Sequence, residues 1–201
     1  MCVNYQKKLN TLLCSLKGRP RLLLHSCCAP CSSYVLEYLN AYFDLTLYYY
    51  NPCIYHEEEY RKRKLEQLRF VRRVYADSVA ILDADYRHAD FLAVCEDLSR
   101  EPEGGARCRE CIGQRIFSTA EAAASGYEWF CSTLSVGPKK SAVYINDAGE
   151  AAQQKFGSKW LYSDFKKNDG YARSVQLSAR HRLYRQNYCG CEYSIKNNGD
   201  L

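Results

Sequence analysis

Arg21-Leu-Leu-Leu-His-Ser-Cys-Cys-Ala-Pro-Cys31 is the stretch that decides the fold of this chain. Its first five residues form a short apolar run that predicts a buried strand, and a helix is expected around Ser33–Leu39. The cysteines of the stretch directly follow the strand. Because ligands of parallel α/β sheets bind at the carboxyl ends of the strands, these cysteines are expected at the functional edge of the sheet.

The rest of the chain repeats this alternation of a short strand and a longer helix. Further strands are predicted at Leu45–Tyr50, Ser78–Leu82, Glu128–Thr133 and Trp160–Tyr162. Further helices are predicted at Glu57–Tyr75, Asp90–Leu98, Arg109–Ser125, Lys139–Phe156 and Gly170–Ala179. The alternation predicts an α/β fold: one domain with a mostly parallel, helix-covered, Rossmann-like sheet.

The composition excludes several classes of protein. Of the 201 residues, 47% are hydrophobic and 25% are charged, a globular balance that argues against disorder. No apolar run is long enough to span a bilayer, and Met1–Pro20 contains no apolar core of a secretory signal, so we expect a cytoplasmic protein. In that reducing compartment, clustered cysteines bind metal or do redox work more often than they form structural disulfides, and this chain has 12 cysteines.

Seven cysteines fall into three groups with short internal spacing: Cys27-Cys28-x-x-Cys31, Cys108-x-x-Cys111 and Cys189-Gly-Cys191. A C-x-x-C spacing lets two thiolates converge on one metal, and a helix start beside such a group lowers the thiol pKa. Four thiolates from two groups suit either structural zinc or an iron–sulfur cluster. Because a closed zinc site uses four ligands, seven clustered cysteines favour two neighbouring metal centres at the carboxyl ends of the strands.

Other interpretations of the cysteines stay open at this stage. A thioredoxin-like dithiol is one, although it leaves most of the cysteines unexplained. Cys189 and Cys191, which only glycine separates, could chelate one metal or form a strained, easily reduced disulfide. Solitary cysteines are expected to be buried, inert thiols. Cys53 is the closest case among them, since it follows a predicted strand and should face the same edge.

The stretch from Lys155 to Lys196 combines basic and aromatic residues, and its Lys and Arg outnumber its Asp and Glu. Basic side chains pair with phosphates and aromatic rings stack on bases, so this composition is typical of RNA-binding surfaces. A solvated basic face would explain the same composition equally well.

Five motifs together resemble the QueH epoxyqueuosine reductases, in the family's order from about residue 22 to residue 194. They are Leu-Leu-His-Ser-Cys-Cys-Ala-Pro-Cys (23–31), Tyr-Asn-Pro (50–52), Glu-Pro-Glu-Gly-Gly-Ala-Arg-Cys-Arg-Glu-Cys (101–111), Ser-Asp-Phe-Lys-Lys-Asn-Asp-Gly-Tyr-Ala-Arg-Ser (163–174) and Leu-Tyr-Arg-Gln-Asn-Tyr-Cys-Gly-Cys (183–191). The resemblance predicts a reductase-like α/β iron–sulfur domain at residues 22–201 and leaves residues 1–21 as an N-terminal extension.

This resemblance implies the last step of queuosine biosynthesis, the two-electron reductive deoxygenation of epoxyqueuosine in a tRNA anticodon to queuosine. It also implies a [4Fe-4S] cluster and a second, mononuclear iron. The implied cluster ligands are Cys27, Cys28, Cys108 and Cys111. The implied ligands of the second iron, which are also the candidate catalytic residues, are Cys31, Cys189 and Cys191.

The implied partners are a tRNA carrying epoxyqueuosine and an external low-potential electron donor, with no membrane. The candidate residues for binding the substrate or the tRNA backbone are Lys166, Lys167, Asn168, Tyr171, Arg173, Arg185 and Gln186.

Two alternative functions remain possible for this sequence. A relative of the ATP-dependent tRNA thiolases would need a Gly- and Ser-rich phosphate loop after the first strand, and Cys-Cys-Ala-Pro-Cys occupies that position instead. A non-catalytic zinc-binding RNA module is the other rival, and metal analysis separates it from an iron–sulfur reductase.

Overall fold

The computed structural model describes residues 3–196, in which five parallel strands form one sheet. The strands are β1 (Arg21–His25), β2 (Asp44–Tyr49), β3 (Val79–Asp83), β4 (Trp129–Ser132) and β5 (Lys159–Trp160). The helices are α1 (Tyr5–Ser15), α2 (Ala29–Leu39), α3 (Glu57–Tyr75), α4 (His88–Cys95), α5 (Ala106–Ala123), α6 (Ala142–Phe156), α7 (Gly170–His181) and α8 (Glu192–Lys196). The predicted α/β class is therefore confirmed. Within the same residues, no helix has both the length and the apolar character needed to cross a bilayer.

β1 lies at the centre of the sheet, whose strand order is β3-β2-β1-β4-β5. The chain places β2 and β3 on one side of β1 and then β4 and β5 on the other side. His25, at the end of β1, is level with Tyr48 of β2 and Ser132 of β4. The carboxyl ends of three strands therefore meet where the strand order reverses, which is where open α/β sheets bind their ligands.

Alternate leucines of β1 pack on opposite faces of the sheet. Leu22 and Leu24 belong to a hydrophobic core that also contains Val35 of α2. Leu23 belongs to the core on the other face, together with Ile116 of α5. This period of two is that of a strand covered on both faces, so the run of three leucines is explained by the helix-covered sheet.

α1 occupies much of the segment that precedes β1. The Asn4 side chain accepts a hydrogen bond from the backbone N–H of Lys7 and caps the helix. Leu9 and Leu13, one helical turn apart, are buried in the same core as Leu22. The amphipathic spacing of the leucines therefore packs this helix against the sheet.

Two helices beside the cysteine groups begin earlier than predicted. α2 begins at Ala29 rather than near Ser33, because a proline in its first turn is well suited to a helix start. α5 begins at Ala106 rather than at Arg109. Both shifts bring cysteines into the first turns of the helices.

Candidate metal centre

Cys27, Cys28 and Cys31 lie together where β1 ends and α2 begins. Cys28 is the N-cap residue of α2, and Cys31 lies in its first turn. Their Sγ atoms all lie within 4.8 Å of one another. Among the Cys, His, Asp and Glu side chains of residues 3–196, this is the one group of three close enough to share a metal ion. We call it the cysteine trio.

Hydrogen bonds within the cysteine trio favour a thiolate at Cys28. The Sγ atoms of Cys27 and Cys28 are 3.8 Å apart. Hydrogen bonds from Cys27 and Cys31 hold the pKa of Cys28 well below its usual range, and the bond with Cys28 raises the pKa of Cys27 to about 12. The hydroxyl of Thr133, just after β4, donates to Cys27 Sγ at 3.3 Å. The trio is therefore prepared to carry negative charge that a metal cation would neutralise.

A second group of cysteines lines a small, largely enclosed cavity. The cysteines in its wall are Cys53, Cys108, Cys111, Cys189 and Cys191. They come from three distant parts of the chain: the segment after β2, the start of α5 and the segment before α8. We call this space the inner cavity.

An open cleft of about 420 Å³ adjoins both cysteine groups. Cys28 and Cys31 of the trio line it. Cys189 and Lys140 belong to the walls of both the cleft and the inner cavity. The cleft is therefore a route from solvent to the sulfur atoms, wide enough for a substrate group.

The residues predicted to bind substrate are divided between the cleft and its surroundings. Tyr171, Arg185 and Gln186 line the cleft. Lys166 makes an ion pair with Asp164 at 2.8 Å instead. The remaining three lie near the start of α7 and do not line the cleft: Lys167, Asn168 and Arg173.

Arg173 is engaged elsewhere. Its Nε and Nη2 atoms donate to the two carboxylate oxygens of Glu37 in α2, at 2.8 and 2.9 Å. This fork ties α7 to α2 on the outside of the molecule, where both side chains are 41% exposed. A role in substrate binding stays a prediction for these residues.

The Cys189–Gly190–Cys191 turn depends on its glycine. Gly190 has φ 127°, a conformation that side chains disfavour. A Cβ atom there would lie 2.9 Å from Nη1 of Arg63. Arg63 is buried, and it donates from Nη1 to the carbonyl of Cys189 at 3.2 Å. The glycine between the two thiols therefore allows a backbone conformation that other residues disfavour.

The loop before α5 places Cys108 and Cys111. Buried Arg107 donates to three carbonyl oxygens of this loop, those of Leu98, Ser99 and Glu101. Cys108 Sγ accepts a hydrogen bond from the backbone N–H of Gly104 at 3.3 Å. The loop is therefore fixed against the helix, and the C-x-x-C pair projects from the first two turns of α5.

Two cations that were not predicted from the sequence accompany the sulfur atoms: Arg115, which is buried, and Lys140, which is partly buried. Arg115 is 3% exposed and donates from Nη2 to Cys111 Sγ at 3.2 Å. Lys140 donates from Nζ to Cys189 Sγ at 3.1 Å. Although burial opposes their charge, the neighbouring thiols raise the pKa of both. The one available signal was the spacing of Arg115, four residues after Cys111 on the same helix face.

The solitary cysteines differ in their hydrogen-bond partners. Cys95 and Cys131 direct their thiols at backbone carbonyl oxygens, those of Arg107 at 3.6 Å and Leu161 at 3.5 Å. Both are buried, as expected of the solitary cysteines, whereas Cys14 is exposed and the expectation is wrong there. Cys53 is equally buried, but its thiol is hydrogen-bonded to Cys111. That bond, with nearby cations, lowers the pKa of Cys53 to about 5.

His25 has a structural role at the end of β1. Its Nε2 lies 3.0 Å from the carbonyl oxygen of Tyr50, and its Nδ1 lies 2.9 Å from Ser132 Oγ. Since a carbonyl oxygen only accepts, Nε2 carries the proton. Complete burial, with Arg115 nearby, lowers the pKa of His25 to about 3. A neutral imidazole therefore joins the ends of β1, β2 and β4 beneath the cysteine trio.

Comparison with known proteins identifies relatives of this chain. The family model described as epoxyqueuosine reductase QueH matches residues 22–197. The chain is 43% identical over 185 residues to the epoxyqueuosine reductase QueH of Streptococcus pyogenes, covering 90% of this chain and 72% of the relative. It is 40% identical to that of Staphylococcus epidermidis, covering 98% and 87%. It is 33% identical to that of Thermotoga maritima, covering 87% and 90%.

These matches extend over nearly the whole chain, and the matched region contains both cysteine groups and the cleft between them. The chain belongs to the epoxyqueuosine reductase QueH family.

Proposed function

We propose that this protein reduces epoxyqueuosine in the anticodon loop of tRNA to queuosine, with residues 22–201 as the reductase domain and residues 1–21 as an extension. The epoxide oxygen leaves as water, which requires two electrons and two protons. The observation that supports the proposal is the convergence of six of the seven motif cysteines on two adjoining spaces, one largely enclosed and one open to solvent. The seventh, Cys27, lies beside Cys28 and Cys31 in the cysteine trio. Membership of the family supports the substrate assignment.

The residues present fit a sulfur-ligated metal centre. Thiolates that share one tetrahedral metal lie roughly 3.8 Å apart when each metal–sulfur bond is about 2.3 Å. The cysteine trio has Sγ atoms within 4.8 Å of one another, so small movements would complete such a site. Buried Arg115 and partly buried Lys140 supply positive charge beside several of the cysteines.

Seven cysteines would hold the metals. Following the family resemblance, we assign a [4Fe-4S] cluster to Cys27, Cys28, Cys108 and Cys111, and a second iron to Cys31, Cys189 and Cys191. When bound, this pair of groups supplies electrons one at a time and a Lewis acid for the epoxide oxygen.

The residues of the cleft would receive the modified base. Anticodon-loop bases are single-stranded, so the base can leave its stack and enter a protein pocket. The Tyr171 ring offers a stacking surface at the wall, and Arg185 offers a cation for the tRNA backbone. Lys140, fixed against Cys189, holds a proton at Nζ where the cleft meets the inner cavity.

The proposed partners follow from this chemistry. They are a tRNA that carries epoxyqueuosine and an external low-potential electron donor, and the place of action is the cytoplasm. The formal net charge of +5 favours association with a polyanion.

The test is turnover by protein purified without oxygen. Epoxyqueuosine tRNA is incubated with the protein and a low-potential reductant, and the digested nucleosides are separated and identified by mass. Conversion to queuosine is the expected result. Iron and sulfide are measured on the same sample, and about four to five irons with four sulfides per chain are expected.

A colourless protein with stoichiometric zinc and no conversion would contradict the proposal. It would favour the zinc-binding RNA module instead.

A further inference from the structure

Cys53 has surroundings that an inert buried thiol does not need. It is 2% exposed and follows β2 at the same sheet edge as the cysteine trio. Cys53 lines the inner cavity together with Cys108, Cys111, Cys189 and Cys191. Five of the cysteines in residues 3–196 thus line one enclosed space.

The positively charged side chains near Cys53 favour thiolates over neutral thiols. The guanidinium of Arg115 is buried beside Cys111, and Lys140 reaches Cys189 in the same wall. A buried guanidinium such as that of Arg115 is costly unless an anion compensates it. Cys95 and Cys131, whose thiols point at carbonyl oxygens, do not line the inner cavity.

We propose that Cys53 is an additional iron ligand, which binds through its thiolate beside Cys111 on the inner-cavity side of the metal centre. This inference rests on the proposed iron–sulfur function and adds an eighth sulfur to its seven cysteines. Iron–sulfur sites are ligated by cysteine thiolates, and Cys53 lines the same small cavity as Cys111, an assigned ligand. The local sequence supports the placement, because Asn51 fixes the turn by donating to the carbonyl of Ser26 at 2.8 Å.

The experiment compares Cys53→Ala and Cys53→Ser with the parent protein and with Cys95→Ala. Cys95 is a matched control, because it is buried nearby but directs its thiol at the Arg107 carbonyl. All four proteins are purified without oxygen and reconstituted with ferrous iron and sulfide. Iron and sulfide per chain, Mössbauer spectra of ⁵⁷Fe samples and EPR spectra of reduced samples are recorded. Far-UV circular dichroism checks that each chain is folded.

We expect Cys53→Ala to lose at least one iron per chain while the Cys95→Ala protein matches the parent. Cys53→Ser, which keeps a weaker oxygen ligand, should retain more iron with a changed Mössbauer spectrum. Unchanged iron and spectra in Cys53→Ala would overturn the inference. Unchanged iron with shifted EPR g values would also overturn it, since Cys53 would then act only as a hydrogen-bond partner of Cys111.

Two other outcomes of this experiment also have a definite meaning. Loss of iron from the Cys95→Ala protein as well would overturn the inference, because the effect would then be general destabilisation. A parent protein that binds no iron would reject the proposed function itself, and the two failures are therefore distinguishable.

Discussion

The guanidinium of Arg115 lies 3.2 Å from Cys111 Sγ, and both residues are buried, at 3% and 8% exposure. The same cation acts electrostatically on Cys53, Cys189 and Cys27, so its charge reaches both cysteine groups. A single buried charge at that place affects every anionic group bound there, whichever cysteines are the ligands.

Arg115→Met should lower the reduction potential of a bound cluster. Reduction adds negative charge to the cluster. Without the neighbouring cation, the reduced cluster is less stable, so reduction becomes less favourable. A shift of roughly 100 mV, or about 2 kcal/mol for one electron, is expected for a unit charge at this range. The measurement is a redox titration followed by EPR. Arg115→Lys keeps the charge and should keep most of the potential, and exposed Arg109→Met on the same helix is the control. An unshifted potential in Arg115→Met with an intact cluster would show that the cation does not act on it.

Cys189→Ser should abolish turnover and leave most of the cluster absorbance. Cys189 lines both the cleft and the inner cavity, and it is assigned to the second iron rather than to the cluster. The measurements are queuosine formation and the visible spectrum of anaerobic protein. Cys95→Ser controls for general effects of removing a buried thiol. Disappearance of the whole cluster spectrum from the Cys189→Ser protein would contradict the ligand assignment.

Arg185→Ala should weaken tRNA binding more than Arg173→Ala. Arg185 faces the cleft, whereas Arg173 is held by Glu37 on the outside of the molecule. We expect about a tenfold rise in Kd for Arg185→Ala, and a reduction of about one in the slope of log K against log salt. Arg173→Ala should change Kd by less than about twofold. Titration of tRNA at several salt concentrations measures both, and equal losses would mean that the tRNA surface extends over α7.

Gly149→Ala should destabilise the protein, and Gly113→Ala should not. A Cβ at Gly149 in α6 would lie 2.1 Å from the Trp160 ring, so the helix would have to move away from β5. Overpacking of this kind costs about 1–3 kcal/mol. Apart from its chain neighbours and the adjacent backbone of α5, nothing in residues 3–196 lies within 4 Å of a Cβ at Gly113, where alanine should add about 0.5–1 kcal/mol. Denaturant unfolding followed by circular dichroism measures both. Equal midpoints for the two variants would mean that Trp160 moves aside freely.

Alkaline pH should destabilise the fold partly through Cys131. Burial raises its pKa from 9.0 to about 12. Between those values the unfolded chain loses the thiol proton and the folded chain keeps it, so this contribution is complete below pH 9 and lost as pH rises toward 12. Cys131→Ala should therefore show a shallower fall in unfolding free energy over this range, by on the order of 3–4 kcal/mol at its upper end. The same slope in both proteins would mean that other groups dominate the alkaline limb.

The sheet and the three cysteine groups could be predicted because their signals are local. The leucines of β1 precede Cys27 without a break, so the position of the cysteines at the strand end follows from spacing alone. The earlier helix starts could not be placed as well, because Ser33 is a good capping residue and competes with the proline of the preceding turn.

Contacts between side chains from distant parts of the sequence could not be predicted, because they depend on how the chain folds in three dimensions. Nothing local shows that Cys53 meets Cys111, or that Lys140 reaches Cys189. The same applies to Arg173, whose place in a motif indicated substrate binding but whose partner is Glu37. In each of these examples, the contact is formed between residues far apart in the sequence, so no local pattern indicates it.

The Cys189–Gly190–Cys191 turn has a consequence for biosynthesis. It lies more than 150 residues after the cysteine trio, which follows the first strand. Since a ribosome makes the N-terminal part first, the walls of the inner cavity cannot close until the segment with Cys189 and Cys191 has been made. Metal loading should therefore follow translation. A metal bound by both the cysteine trio and the Cys189–Gly190–Cys191 turn would close a very long loop. It would hold these two segments together as a cross-link does.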